Sequence, residues 1–322
     1  MILVTGVSGQ LGSAILAGLR AVDGLAVAGA SSSVDRLGVA GAGSSGDGRG
    51  VAGAGSSVDG LAVAGAGSSG DGDRLADFDR PETLERAFAG VDVLVFVSAG
   101  YAEDDIVLAR HGAVVRAAAA AGVRHVIYTS LAGSGERLTI ALAHRWTEAR
   151  LAEAPFDVTI LRNGLYAEIP AGLAVAGAAA AAESGVFTAP LGDGRVSVVA
   201  RADLAAVAVR VASEVQADLA SGARRHAGRT YELEGVESVG GRDLAELLAE
   251  TLGRPVEYRP VSLGEARAAL TGLEPYQAGH TMSIFSNIGV GLLEGRGGDL
   301  TTFLEAPQPV RDVVRAVIKS AL

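Results

Sequence analysis

Apolar segments and glycine-rich breaks alternate along the first half of this chain at a regular spacing. Residues 2–5 (ILVT) form a short apolar run, followed by a glycine turn and a helix-like stretch over 10–21. Residues 91–97 (VDVLVFV) are apolar almost without interruption, as suits a strand covered on both faces. Helical composition over 104–121 ends at Gly122, which suits a left-handed helix terminus. Further on, a strand is expected over 123–129, a helix over 138–152 and a strand over 157–161. Strands and helices alternating in this way predict an α/β fold with a Rossmann-type, doubly wound parallel sheet.

After Asn163 the pattern changes. Short strands (196–200, 230–233, 256–258) are separated by glycine-rich turns from amphipathic helices (203–215, 241–252, 263–270). The division expected is a first domain over 1–162 and a smaller α/β lobe over 163–322, part of which, around 196–203, returns to the main sheet. Within the first domain, residues 25–72 are anomalous, because V-A-G-A recurs at Val27, Val39, Val51 and Val63 with a period of twelve. Either strand-turn units stack or a tandem duplication leaves a low-complexity loop. Such glycine-rich units bury little apolar area, which favours the loop, while residues 25–30 remain a good second strand.

Composition removes several function classes. With 322 residues and a formal net charge of −10, the chain lacks the basic surface that a nucleic-acid partner requires. There is no cysteine, and the 5 histidines form no H-x-x-x-H pair, so neither a disulfide nor a metal site is expected. The only lysine is Lys319, which argues against lysine-dependent chemistry in a central cleft. Residues 171–182 are apolar but shorter than the roughly 20 residues a membrane span needs, and read as a buried helix. No basic leader precedes the first strand, so a cytoplasmic protein without membrane association is expected.

Chemistry enters at the first turn. Gly6, Val7, Ser8, Gly9, Gln10, Leu11 and Gly12 follow a strand and open a helix with the spacing G-x-x-G-x-x-G. In a dinucleotide site the first glycine permits the tight turn, the second admits a pyrophosphate to the backbone, and the third lets helix and sheet pack closely. A plain glycine-rich strand–helix turn is the bland alternative. The position of the motif favours the nucleotide reading.

Other segments carry a resemblance: VTGVSGQLG from Val4, ADFD from Ala76, YTSL from Tyr128, HRWTE from His144, LRNGLYAE from Leu161, GDG from Gly192, RAD from Arg201 and YEL from Tyr231. On these, the chain resembles the NmrA-like branch of the atypical short-chain dehydrogenase/reductases, and within it the bacterial NAD(P)H:quinone oxidoreductases. The resemblance runs from Met1 to about Val317, with the repeats as its main gap. It implies a nicotinamide dinucleotide whose pyrophosphate is lined by the glycine turn, with Asp77 and Phe78 also on the cofactor. It places Ser98, Ala99 and Gly100 beside the ribose, Thr129 and Ser130 at the next strand end, and Asn163 and Gly164 near the nicotinamide. Leu131, Tyr166 and Glu168 would meet the substrate. Ordinary strand-end polarity for Ser98 and Ser130, and a packed aromatic for Tyr166, stay open. His144 and Tyr166 are the candidate catalytic residues. A cleft histidine could donate a proton, since its pKa lies near neutrality, whereas an exposed helical pair with Glu148 would be merely structural.

Two departures matter. Typical short-chain dehydrogenases use Tyr-x-x-x-Lys, but here Tyr128 is followed by Thr-Ser-Leu-Ala, and Ala149 stands where some relatives carry lysine. A quinone, being strongly electron-accepting, needs less help than a ketone. After the second strand the chain reads Ala30-Ser31-Ser32-Ser33, with neither an arginine for a 2′-phosphate nor an acid for ribose hydroxyls. Arg36 and Arg74 are candidate substitutes, and NADP is favoured with NAD as the alternative. The expected function is an NAD(P)H-dependent reductase of a small-molecule electron acceptor, foremost a quinone, working by direct hydride transfer as a monomer or homodimer. A non-enzymatic NAD(P)-sensing regulator of the NmrA type is the second reading, and reduction or isomerisation of another enone, imine or dye-like substrate the third.

Overall fold

Apolar runs too short for helices become the inner strands of one sheet. In the computed structural model, which describes residues 1–32, 73–98, 102–133, 137–295 and 297–322, β1 (Ile2–Thr5) leads through the glycine turn into α1 (Gln10–Arg20) and β2 (Val27–Ser31). The repeats beyond residue 32, Arg36, Ala99 and Gly100 lie outside the described residues. There follow β3 (Arg74–Leu75), α2 (Glu82–Phe88), β4 (Val93–Val97), α3 (Asp104–Ala120), β5 (His125–Leu131), α4 (Leu142–Ala152) and β6 (Asp157–Asn163). The second half carries β7 (Leu165–Tyr166), α5 (Glu168–Ser184), β8 (Val186–Ala189), β9 (Arg195–Val199), α6 (Arg201–Ser221) and β10 (Arg229–Leu233). It closes with β11 (Ser238–Gly240), α7 (Gly241–Leu252), β12 (Glu257–Pro260), α8 (Leu263–Ala269), α9 (Pro275–Gly289), α10 (Leu300–Phe303) and α11 (Val310–Ala321).

Seven strands form the main sheet in the order β10-β6-β5-β4-β1-β2-β3, with every neighbouring pair parallel. The chain works outward from β1 to β3, then returns to the other side of β1 with β4. Strand order therefore reverses between β1 and β4, which leaves a crevice beyond their carboxyl ends where ligands bind in such sheets. Thr5 pins this point: its Oγ1 accepts from the Val97 amide at 3.1 Å and lies 3.4 Å from the Val95 carbonyl oxygen.

Both faces of the sheet are covered. On one, α1 packs against α6, and Gly18 lets them approach so closely that a Cβ there would meet Val209 Cγ2 at 2.7 Å. On the other, α2, α3 and α4 bury Leu84, Phe88, Val114 and Leu151 against Phe96 and Tyr128 of the sheet. A second core gathers α5, α7, α9 and α11 around two small sheets, β11-β9-β7 and β12-β8.

The part of the second half that joins the main sheet differs from the expectation. It is β10, paired with β6 from Arg229 opposite Thr159 to Leu233 opposite Asn163. Residues 196–203 do not return to it, because both edges of β9 are taken, by β7 and by antiparallel β11. The apolar stretch 171–182 lies inside α5, and among the described residues no helix is long and apolar enough to cross a membrane.

Phe96 is fully buried and makes ring contacts with Phe78, His111 and Tyr128. Phe96→Ala should lower stability by about 3–5 kcal/mol, seen as a lower urea midpoint at unchanged slope. A loss below about 1 kcal/mol would show that this face of the sheet is not the tightly packed core described.

Candidate active site

The glycine turn lies at the strand-order reversal. Gly6 has φ +67°, a backbone conformation that side chains disfavour. A Cβ on Gly12 would stand 2.3 Å from the Gly6 carbonyl oxygen, so only glycine fits where α1 crosses the turn. Gly9 is the extended N-cap of α1, and the first helical turn carries no acidic residue. The amides of that turn cannot be satisfied within the helix and sit at the positive end of its dipole. Val7 and Leu11 are buried beneath, whereas Ser8 and Gly9 are exposed. The result is a cradle for a phosphate-bearing group.

At the end of β2, Ser31 is buried and its Oγ has no hydrogen-bond partner among the described residues. Arg74 is not the cation sought there. Its guanidinium donates to the carbonyls of Ala87 and Ala89 at 2.6 and 2.7 Å, closing the C-terminal end of α2, whose bare carbonyls attract a cation. Asp77 caps the amide of Asp79 at 3.0 Å and pairs with Arg80, while Phe78 is buried edge-on to Phe96. Arg110 of α3 grips Asp79 through two hydrogen bonds of 2.7 Å, which holds this loop onto the helix that follows β4.

The ends of β4 and β5 are tied by the Ser98 amide, which donates to Thr129 Oγ1 at 3.0 Å. Beside them lies a charged hub that sequence reasoning missed. Ser130 donates to Glu148 Oε1 at 2.5 Å, and the same carboxylate receives Arg145 Nη1 at 2.7 Å and Arg162 Nε and Nη2 at 3.0 and 2.6 Å. Arg162 also reaches Glu232 Oε1 at 2.6 Å. Burial pushes the Glu148 carboxyl up, but the hydrogen bonds from Arg162 and Ser130 and the two guanidinium charges hold it below its ordinary value. Its bond to Glu148 raises Arg162 in turn. The available signal was Arg162, a charge set directly after the apolar Ile160 and Leu161 of a strand.

His144 is not paired with Glu148. Its Nδ1 lies 2.9 Å from the hydroxyl of Tyr128, a fully buried side chain. Burial pushes the Tyr128 pKa up despite Thr147 beside it, so the phenol keeps its proton. Burial, aided by the charge of Arg145, lowers the His144 pKa to about 4. The expectation of a histidine that titrates near neutrality is thereby corrected: the ring is neutral at pH 7, and one nitrogen is engaged.

Past β6 the chain forms the other wall. Asn163 is buried with Oδ1 unpartnered among the described residues, and Gly164 passes so close to Val199 and the Leu233 carbonyl that a Cβ would meet them at 2.9 and 3.0 Å. Leu131 ends β5, and its carbonyl accepts from Arg145 Nη2 at 2.9 Å. Tyr166 lies under the Arg201 guanidinium, 4.7 Å from the ring centroid, and Arg201 reaches Glu168 at 3.5 Å. Glu168 Oε2 is buried without a hydrogen-bond partner. The glycine cradle and the orphaned Ser31 Oγ and Asn163 Oδ1, all at carboxyl ends of main-sheet strands, fit a dinucleotide laid across the crevice. Among the described residues no group of acidic or histidine side chains could hold a metal ion.

Known proteins are similar in sequence and in fold. A family model described as NAD(P)H-binding matches residues 74–214. Quinone oxidoreductase 2 of Escherichia coli (strain K12) is 37% identical over 198 residues, 61% of this chain and 64% of that protein. The chain thus spans just under two thirds of that relative. The NmrA-like family domain-containing oxidoreductase flvB of Aspergillus flavus is 32% identical over 261 residues, 76% of this chain and 79% of that protein. Among solved structures, the E. coli quinone oxidoreductase QOR2 complexed with NADPH matches with a TM-score of 0.76 at 29% identity, over 98% of this chain and 99% of that one. Citrobacter sp. triphenylmethane reductase complexed with NADP(H) matches at 0.75 and 28%, over 100% of both chains.

The neutral histidines imply a pH dependence. His125, buried against Thr159, is also lowered to about 4 by burial, from an ordinary 6.5. Between those values the unfolded chain binds protons that the folded chain refuses, so stability falls as pH drops through the window. The loss should be on the order of 2–3 kcal/mol per imidazole by pH 4, measured by urea unfolding. His144→Gln should flatten part of the slope. A wild-type chain equally stable across the window would contradict the neutral state of both rings.

Proposed function

The chain belongs to the NmrA-like family of NAD(P)H-binding oxidoreductases, and from that premise we propose that it is an NAD(P)H-dependent reductase of small electron acceptors, with quinones the leading class. The observation that carries this reading is the glycine cradle at the strand-order reversal, where a Cβ at residue 12 would collide with the Gly6 carbonyl. The named activities of the relatives add support: quinones and triphenylmethane dyes are both conjugated electron acceptors.

When bound, the nicotinamide supplies the hydride. The residues of the chain bind and orient. The turn from Gly6 to Leu11 lines the diphosphate, with the amides of Gln10 and Leu11 as donors, and Asp77 and Phe78 stand on the adenosine side. Ser98, Thr129 and Ser130 line the ribose, Asn163 and Gly164 the nicotinamide, and Leu131, Tyr166 and Glu168 the acceptor opening. NADPH is the favoured cofactor and NADH the alternative. Burial keeps Tyr128 and His144 neutral, so this hydrogen-bonded pair supplies no strong acid. A reduced quinone oxygen takes its proton from water, whereas the far more basic alkoxide formed from a ketone would need an acid at hand.

Mixed with NADPH or NADH and a panel of benzo- and naphthoquinones, the protein should oxidise the cofactor well above the spontaneous rate. Gly9→Val keeps ordinary contact with Gly6, where the new Cβ meets the carbonyl oxygen at 3.4 Å, so the fold should survive while bulk enters the phosphate seat. It should weaken dinucleotide binding at least about tenfold by titration, with its melting temperature close to that of wild type. Tight dinucleotide binding with no acceptor turned over would replace the reductase with a sensor. Unaltered binding in Gly9→Val would remove the cradle from the reading.

A further inference from the structure

Where β7 leads into α5 the structure holds a small cavity of about 30 Å³. Its floor is Leu165 of β7 with Val196 and Val198 of β9, all buried, and its sides include Ile169 of α5 and Ile284 and Phe285 of α9, all half-buried. Every side chain around it is apolar. Such a space is large enough for one or two water-sized groups but offers none of the polar partners that keep water in place. Protein interiors seldom leave room of this size unfilled. Leu131, assigned to the acceptor opening, packs against the same apolar core as the wall residues Leu165 and Ile169, which flank the segment from Tyr166 to Glu168 along the chain. The half-buried side chains lie on α5 and α9, which puts the mouth between these helices. The edge of α9 is held by polar pairs: Ser283 with Thr139, and His280 with Asp104 at 3.8 Å.

We propose that this cavity receives a methyl or short alkyl substituent of the acceptor, so that the preferred substrates are alkyl-substituted quinones. The inference rests on the reductase reading and deepens it. A substituent seated there leaves water for a dry apolar pocket, and each buried methylene should raise kcat/KM by about fourfold. The volume sets a limit near two carbons, beyond which α9 must shift and the gain should stop. Alkyl groups donate electrons and make a quinone harder to reduce, so a rise along the series would run against its intrinsic chemistry.

The test is steady-state turnover of unsubstituted, methyl-, ethyl- and longer alkyl-benzoquinones with the reduced cofactor. Wild type should climb from unsubstituted to ethyl and then level off or fall. Val196→Ile fills the cavity from its floor and Ile284→Phe from its roof. In either, the ratio of kcat/KM for ethyl- over unsubstituted quinone should fall by at least about fourfold, while melting temperature and dinucleotide affinity stay as in wild type. Two variants on opposite walls guard against one that does not fold. A flat series in wild type, or a preference that persists in a folded, filled variant, overturns the cavity assignment and leaves the reductase standing. Absence of turnover with every quinone overturns both.

Discussion

One close approach organises the nucleotide end of this molecule: the Gly6 carbonyl oxygen occupies the place where any residue but glycine at position 12 would put its Cβ, 2.3 Å away. That approach is what lets α1 start directly against the end of β1. Gly6 turns the chain in a left-handed conformation, and Thr5 ties β1 to β4 just before it. A larger residue at 12 would lift α1 off the sheet, and with it the face that α1 shares with α6 through Gly18 and Val209. Backbone geometry at one bend thus links the phosphate seat to the packing of an entire layer.

The rest of the site separates charge from acidity. Glu148 gathers two arginines and a serine and stays ionised against its burial, while a short distance along the same helix His144 and Tyr128 share one hydrogen bond and stay neutral. Neither set offers a readily transferable proton at pH 7. The hub joins α4 to the ends of β5, β6 and β10, and so fixes the wall on which Ser130 and Asn163 stand. In a protein without a Tyr-x-x-x-Lys pair, rigid placement has to take over from acid–base assistance, and an ionic hub at three strand ends supplies it.

Much of this was legible beforehand, for identifiable reasons. The inner strands announce themselves as apolar runs because both faces of a parallel sheet are covered. β5 was expected over 123–129 and lies at His125–Leu131, because Ser130 looks like a loop residue until Glu148 is seen to satisfy it. β10 has two exposed and two half-buried positions before Leu233, the look of any edge strand, and its partner β6 lies 70 residues back, so its sheet could not be named. The hub escaped notice since Glu148 and Arg162 sit on different elements and meet only in three dimensions. The misjudgement of His144 has the same root: a pKa near neutrality is a property of the solvated ring, and burial is not written in its neighbours along the chain.

Electrostatics explains why a spacing of glycines, rather than a pattern of charges, was the readable signature. The chain carries a formal net charge of −10, yet the proposed cofactor is itself an anion. Among the described residues, arginines around the crevice are already engaged: Arg145 and Arg162 by Glu148, Arg201 by Glu168, and Arg74 by helix carbonyls. Within the described residues, attraction for phosphate comes from main-chain amides at the start of α1, which act at contact distance and lose strength within a turn of the helix. Short range demands close approach, and close approach demands residues without side chains. Hence the affinity of this site is encoded in what positions 6, 9 and 12 lack.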